Sequence, residues 1–496
     1  GNVRLDYSNL FFDHLSFSMG IGSELTTTKT QEDGYTATGF VNDKLTYPSY
    51  AQQFQKNGKP SGYFDKGRTI GFFGNINIGW DNRYIADFSL RTDGSSRFGR
   101  DNQFAPFWSV GLAWNVNREK FWTGTGSMKI RASVGSVGSS KFSADQALTR
   151  FVYNSDGEYN GIYGAELLQY GNTALKWQNT LKYNLGLDMT VWKNIITLNF
   201  DAYLERTENL LMDVDVAPST GFTSYKENMG SLDNKGIEAR LRLNLLRGDD
   251  KGWNWNVTLS ASHERDKIRK LSNAMKAMNA EAMKIENNTD STSVFTMYEV
   301  GRSQKALMLV KSLGIDPATG NELYLKRDGS TTFDYDPNDR VEVGNTTPKI
   351  QGFINTNLSW NHIELYMAFN YEYGAKIYNS TLAQKVEGAS PYQNADKRVL
   401  YDRWKKPGNI AMFRRIDDQG PVYQSSRLVQ KNNYIRMSSL SLTYDIPREK
   451  LARTFIERCK FTFSMTDVFR ISSIKQERGT SYPFAWTYSF GVNLTF

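Results

Sequence analysis

The chain closes on a strand whose two faces share nothing. Phe484, Trp486, Tyr488, Phe490, Val492, Leu494 and Phe496 fall on one parity; Ala485, Thr487, Ser489, Gly491, Asn493 and Thr495 fall on the other. Successive strand side chains point to opposite faces, so one face is wholly apolar and the other small and polar. Such a strand wants lipid on one side and water on the other, which is the pattern of a transmembrane β-barrel.

The alternation recurs along the chain. Leu181, Tyr183, Leu185, Leu187, Met189 and Val191 alternate with Lys182, Asn184, Gly186, Asp188 and Thr190. Ile237 to Leu245, Trp253 to Ala261 and Ile363 to Tyr373 repeat it, with Arg240, Arg242 and Glu364 on the polar parity. In a soluble sandwich the apolar faces would form the core. Here so many strands share the pattern that too few residues remain to cover them. About fifteen strands are expected, over residues 2–11, 14–30, 66–80, 84–93, 104–116, 126–138, 175–191, 195–212, 228–247, 253–270, 346–361, 363–378, 429–446, 458–471 and 483–496. Most exceed the roughly 9–11 residues that a tilted strand needs to cross a bilayer.

Connections are short near 12–13, 81–83, 193–194, 248–252 and 361–362, and long over 31–65, 139–174, 271–345 and 379–428. Outer-membrane barrels have short periplasmic turns and longer extracellular loops. A periplasmic C-terminus places every long connection outside.

Composition fits this reading. Mean hydropathy is −0.54, yet 14% of residues are aromatic, and no apolar run reaches the roughly 18 residues of a spanning helix. The single Cys459 excludes an internal disulfide and a multi-cysteine metal site. The formal charge of +8 is spread along strands and loops without a dense basic run, so no nucleic-acid partner is indicated. Fifteen is an odd count where single-chain bacterial barrels have even numbers. The chain also starts at Gly1 in strand-like sequence without a signal peptide. Residues 1–496 are therefore expected to be the C-terminal part of a transmembrane barrel, with the first strands and an N-terminal plug outside them.

Several separated motifs carry a family resemblance. They are Asp81-Asn82-Arg83-Tyr84, Arg91-Thr92-Asp93-Gly94-Ser95-Ser96-Arg97-Phe98-Gly99, Phe104 to Trp114, Glu119-Lys120-Phe121 and Lys129 to Gly135. Leu175-Lys176-Trp177-Gln178, Asn234 to Glu238, Gly314 to Gly320, Pro348-Lys349, Arg403 to Gly408 and Tyr482-Pro483-Phe484 continue the series. In order and spacing the chain resembles the C-terminal barrel of the SusC/RagA family of TonB-dependent outer-membrane transporters of Bacteroidetes. Asn409 stands where that family usually has Asp, and Val137-Gly138-Ser139-Ser140 replaces a more usual Gly-Asn ending. Both changes lie in loops or strand ends.

The resemblance implies a barrel of about 22 strands with a plugged lumen. It implies a SusD-like surface lipoprotein as lid, and TonB acting through the missing N-terminal region. The cargo would be an oligosaccharide or a peptide, imported without breaking a bond, so no enzyme is expected. The alternative is a passive porin or a loop-presenting structural or adhesive barrel. Pairing of two transporter–lipoprotein units is left open.

The loops supply the candidate contacts. Tyr153, Tyr159, Tyr163 and Tyr170 crowd one long loop and suit substrate or partner contact. Trp404 beside Pro407-Gly408 either braces its loop or stacks on substrate. Leu271, Met275, Met278, Ala282 and Ile285 recur at helical spacing, which reads as a short amphipathic helix; it packs onto neighbouring loops, or its Met275, Met278 and Met283 offer the lipoprotein an adaptable docking face. The terminal Phe496 reads as the outer-membrane assembly signal. Asp334, Asp336 and Asp339 raise calcium, but the spacing of a calcium loop is not met, so neither metal nor other cofactor is expected. His14, His263 and His362 lie too far apart in sequence for a zinc site.

Overall fold

The computed structural model describes the chain except residues 45–46, 55–60, 100–101, 140–148, 170, 173, 216–223, 249–251, 272–274, 277–278, 281–296, 391, 393–394, 419, 453 and 476–485. Fifteen strands pair antiparallel in sequence order into one sheet. They are β1 (Asn2–Phe11), β2 (Leu15–Gly34), β3 (Ser61–Trp80), β4 (Tyr84–Ser95), β5 (Phe104–Asn115), β6 (Ser127–Ser139), β7 (Gln178–Val191) and β8 (Ile196–Asp215). β9 (Ser224–Arg247), β10 (Trp253–Lys270), β11 (Ile350–Trp360), β12 (Ile363–Tyr378), β13 (Val429–Asp445), β14 (Arg458–Ser472) and β15 (Thr487–Thr495) complete the wall. β1 and β15 are its two edges, so the strands form an open segment of barrel wall.

All fifteen strands expected from the alternation are present. Several run further toward the long connections. β2 and β3 pair out to Gly34 opposite Ser61, and β8 and β9 out to Asp215 opposite Ser224. In β2 the added stretch, Gln31-Glu32-Asp33-Gly34, has no apolar side chain on either parity. Backbone pairing continues there after the apolar signal has stopped.

The short ends are tight turns. The His14 N–H reaches the Phe11 carbonyl (3.2 Å) and the Arg83 N–H the Trp80 carbonyl (2.7 Å). Phe12, Asp13, Asp81 and Asn82, at the turn centres, have φ of 55°, 59°, 53° and 53°. Two consecutive positive φ values match the right-handed strand twist and close such hairpins. His14 and His362 lie at these short turns, and the His14 Nδ1 is 2.5 Å from Asp81.

The wall's apolar parity faces outward and bare. Leu185, Ile237, Leu112, Leu90 and Phe88 are exposed. The fully buried apolar residues sit mostly beyond the strand ends, among them Leu309, Val310, Val386 and Leu428. Exposed aromatics gather at the short-turn end: Trp80, Tyr84, Trp192, Trp253, Trp360 and Tyr444. Trp253 stacks on Trp360 at 5.3 Å, and Phe496 on Phe455 at 5.6 Å. An apolar band edged by rings is how a barrel meets a bilayer and its interface.

Two long connections fold together. Residues 306–345 make a small antiparallel sheet in the order Thr331–Thr332, Glu322–Leu325, Ala306–Ile315, Arg340–Asn345. The apolar run Leu307-Met308-Leu309-Val310 is buried within it. Residues 379–428 form a second lobe around Leu382, Ala383, Val386, Val399, Phe413 and Leu428.

Candidate functional site

The inner face of the wall carries a polar groove of about 800 Å³ spanning β6 to β13. The Arg131 guanidinium bridges two carboxylates there, Asp188 at 2.7 Å and Asp201 at 3.1 Å, while Asn199 donates to Asp188 at 2.8 Å. Gly186 is what lets it lie flat: a Cβ there would sit 2.6 Å from the Arg131 Cζ and 2.8 Å from an Asp201 oxygen. Further along, the Tyr434 hydroxyl donates to Glu372 at 2.7 Å and the Tyr371 hydroxyl to the Ser260 carbonyl at 2.7 Å. Arg240 stands over the Phe353 ring and Arg470 over Tyr434. Most of these charges satisfy one another across strands. The face is hydrophilic and already partnered, which suits a water-filled or plugged lumen. Gly186→Leu is expected to push Arg131 off both aspartates and to destabilise the wall by about 1–3 kcal/mol, the usual range for overpacking. Urea unfolding of the full-length protein in lipid vesicles measures the loss.

At the rim where the long connections lie, Arg427 clasps the two folded ones. It reaches Glu322 at 2.9 Å and Glu387 at 3.1 Å, and donates to the Met412 carbonyl at 2.6 Å. Arg414 reaches the same Glu387 oxygen at 2.8 Å, and Ser425 donates to Glu322 at 2.5 Å. Burial alone would push the Glu322 carboxyl up. The Arg427 charge, with hydrogen bonds from Arg427, Ser425 and Ser312, outweighs burial and holds it below the usual carboxylate range. Because its folded pKa is lowered, Glu322 adds stability above its ordinary value of about 4.5 and loses it as pH falls toward the folded value. Pepsin mapping across acid pH, normalised to denatured protein, should therefore show residues 379–428 opening below about pH 4.5 while the β7–β10 hairpins stay protected.

Aromatic and backbone contacts reinforce the clasp. Tyr335 stacks on Tyr423 at 4.4 Å, and Val310 bridges Ser425. The Trp404 indole donates to the Pro317 carbonyl at 2.9 Å, and the Gly408 N–H to the same oxygen at 2.8 Å. Gly320, at φ 77°, lies under the Trp404 ring; a Cβ there would come within 2.6 Å of it. Trp404 therefore ties its own loop to the Asp316–Gly320 turn.

The other expected contacts are distributed as follows. Tyr153, Tyr159 and Tyr163 lie on a two-stranded hairpin, Arg150–Tyr159 with Ile162–Gln169; their side chains and Tyr170 lie outside the described residues. Met275 is helical but only 3% exposed. It is covered in the folded chain, beside Gly230, as packing onto neighbouring loops requires. Met278 and Met283 lie outside the described residues. Asp336 accepts from the Asn338 N–H and Asp339 from the Arg327 N–H, so both serve local turns. Among the described residues no three His, Cys, Asp or Glu side chains are placed to hold a metal. Phe98, the ring of the Arg91–Gly99 motif, stacks on Trp177 at 4.2 Å, so two motifs distant in sequence meet at the rim. The clasp residues Glu322, Glu387, Arg414 and Arg427 carried no sequence signal. Only the Leu307–Val310 run hinted at the small sheet.

The family described as TonB dependent receptor-like, beta-barrel matches residues 2–294. TonB-dependent receptor P3 of Formosa agariphila is 26% identical over 510 residues, covering 94% of this chain and 50% of that protein. TonB-dependent receptor SusC of Bacteroides thetaiotaomicron is 30% identical over 236 residues, which is 45% of this chain and 23% of SusC. The solved structure of the RagAB peptide transporter has the same fold across 100% of this chain and 55% of its own, with a TM-score of 0.84 and 23% identity. The chain spans about half the length of such relatives.

Proposed function

Because the chain belongs to the TonB-dependent receptor-like β-barrel family, we propose that it forms most of the barrel of an active importer in the bacterial outer membrane. Its cargo is a nutrient, an oligosaccharide or a peptide, taken up together with a SusD-like surface lipoprotein. The remaining strands, the plug and the TonB contact belong to the rest of the protein. The long connections face outward and the short aromatic-lined turns face the periplasm.

The observation that carries this reading is the pairing of a bare apolar exterior with a polar, ion-paired inner face, beneath a folded rim. A diffusion porin would need the first two features but not a clasped rim. The unpaired edges of β1 and β15 support further strands. Of the relatives, SusC is named a TonB-dependent receptor and RagAB a peptide transporter, which leaves the cargo class open between glycan and peptide. Trp404 and the hairpin carrying Tyr153, Tyr159 and Tyr163 remain the proposed contact regions, and Phe496 the proposed assembly signal.

The test is a tagged full-length protein solubilised from its own outer membrane, with mass spectrometry of co-purifying proteins and small molecules. Recovery of a SusD-like lipoprotein with bound glycan or peptide is expected. A lone barrel without plug sequence or lipoprotein would overturn the proposal.

A further inference from the structure

The lobe of residues 379–428 presents an apolar groove that none of the described residues fills. Leu400, Tyr401, Trp404 and Ile416 line it, and Lys405 and Arg415 stand on its rim. Leu400, Tyr401 and Ile416 are 66%, 65% and 52% exposed. Nearby in sequence, Ile410 is exposed as well. Large apolar side chains held in water and bordered by charge mark a surface meant for a partner.

The groove is built to keep its shape. Its two walls, residues 399–405 and 412–417, are stapled together. Arg403 is buried and donates to the carbonyls of Val399 (3.1 Å) and Arg414 (3.0 Å). The Trp404 N–H bonds the Phe413 carbonyl at 3.1 Å, and the N–H groups of Met412 and Phe413 bond that of Asp402. A preformed seat lowers the ordering cost of binding.

Charge selects the occupant. Arg415 is matched by Asp417, Arg398 by Asp396 and Arg414 by Asp418. Lys397, Lys405 and Lys406 form no ion pair among the described residues, so the surround is basic. A second copy would bring the same lysines, from a chain of net charge +8, and like charges face to face disfavour that contact. The complement is an apolar ridge with acidic flanks.

We infer that this groove is the seat of the surface lipoprotein, which inserts an apolar side chain between Tyr401 and Ile416 while acidic residues meet Lys397, Lys405 and Lys406. The inference rests on the importer reading above. The full-length protein is purified from its native outer membrane as wild type, as Tyr401→Asp with Ile416→Asp, and as the milder Tyr401→Ser with Ile416→Ser. Heat-modifiable gel mobility confirms a folded barrel in each. Lipoprotein recovered per barrel should fall on the order of tenfold in the aspartate variant, as for a buried hot spot, and less in the serine variant. Lys405→Glu with Lys406→Glu should weaken capture most at low salt. Undiminished lipoprotein on the folded aspartate variant overturns the seat while leaving the importer reading intact. Loss of self-association or of bound lipopolysaccharide, with lipoprotein retained, also overturns it. Wild type that recovers no lipoprotein overturns the importer reading itself.

Discussion

Arg427→Met should open the rim without opening the barrel. The substitution keeps bulk but removes the one cation among the described residues that reaches both Glu322 and Glu387. The side chains of Arg427, Glu322 and Glu387 are 5%, 4% and 0% exposed, so water does not replace what is lost. Breaking a buried ion pair from one side typically costs about 3–5 kcal/mol, because a charge is left uncompensated. Arg414 still holds Glu387, so Glu322 bears most of the penalty. Chymotrypsin should then cut residues 379–428 rapidly at neutral pH, while heat-modifiable mobility reports an intact wall. Arg427→Lys should fail in the same direction. A single ammonium cannot fork between two carboxylates and the Met412 carbonyl. Adding Glu322→Gln and Glu387→Gln to Arg427→Met should restore much of the protection, because the stranded charges go with their partner. Unchanged proteolysis in Arg427→Met would show that packing around Leu382, Val386 and Leu428 alone holds the lobe.

Leu185→Arg should cost about 2–4 kcal/mol of stability in lipid, the price of a cation near the bilayer midplane on a barrel's outer face. Leu185 lies midway along β7, is 57% exposed and pairs with Ala132 and Ala202. No long neighbour stands directly opposite to shield the charge. Asn184→Arg, one residue away, points to the polar parity among Lys182, Arg131 and Asp201, and should change stability by less than about 1 kcal/mol. Urea unfolding of both variants in phosphatidylcholine vesicles, followed by tryptophan fluorescence, separates the two faces. Equal losses would refute the assignment of outside and inside.

Strand parity is a local property, and so it survives in the linear sequence. Between bulges, a residue's face depends on whether its number is odd or even within a strand, and lipid makes the two faces chemically different. Leu185 and Gly186 reveal their sides before any partner strand is known. The short turns are equally local, because Asp81-Asn82 tolerate positive φ where the chain must reverse. The long connections obey no such period. Glu322 meets Arg427 across 105 residues and Trp404 meets Pro317 across 87. Lone glutamates and arginines in polar loops look alike until the fold buries some and leaves others in water. Met275 shows the same limit: helical spacing identified a face but not what would cover it. The sequence by itself determined the strands, their two faces and the ends at which they turn. Tertiary structure alone decided which loops close on each other and which apolar side chains stay uncovered, because those outcomes depend on long-range burial rather than on neighbours in the chain.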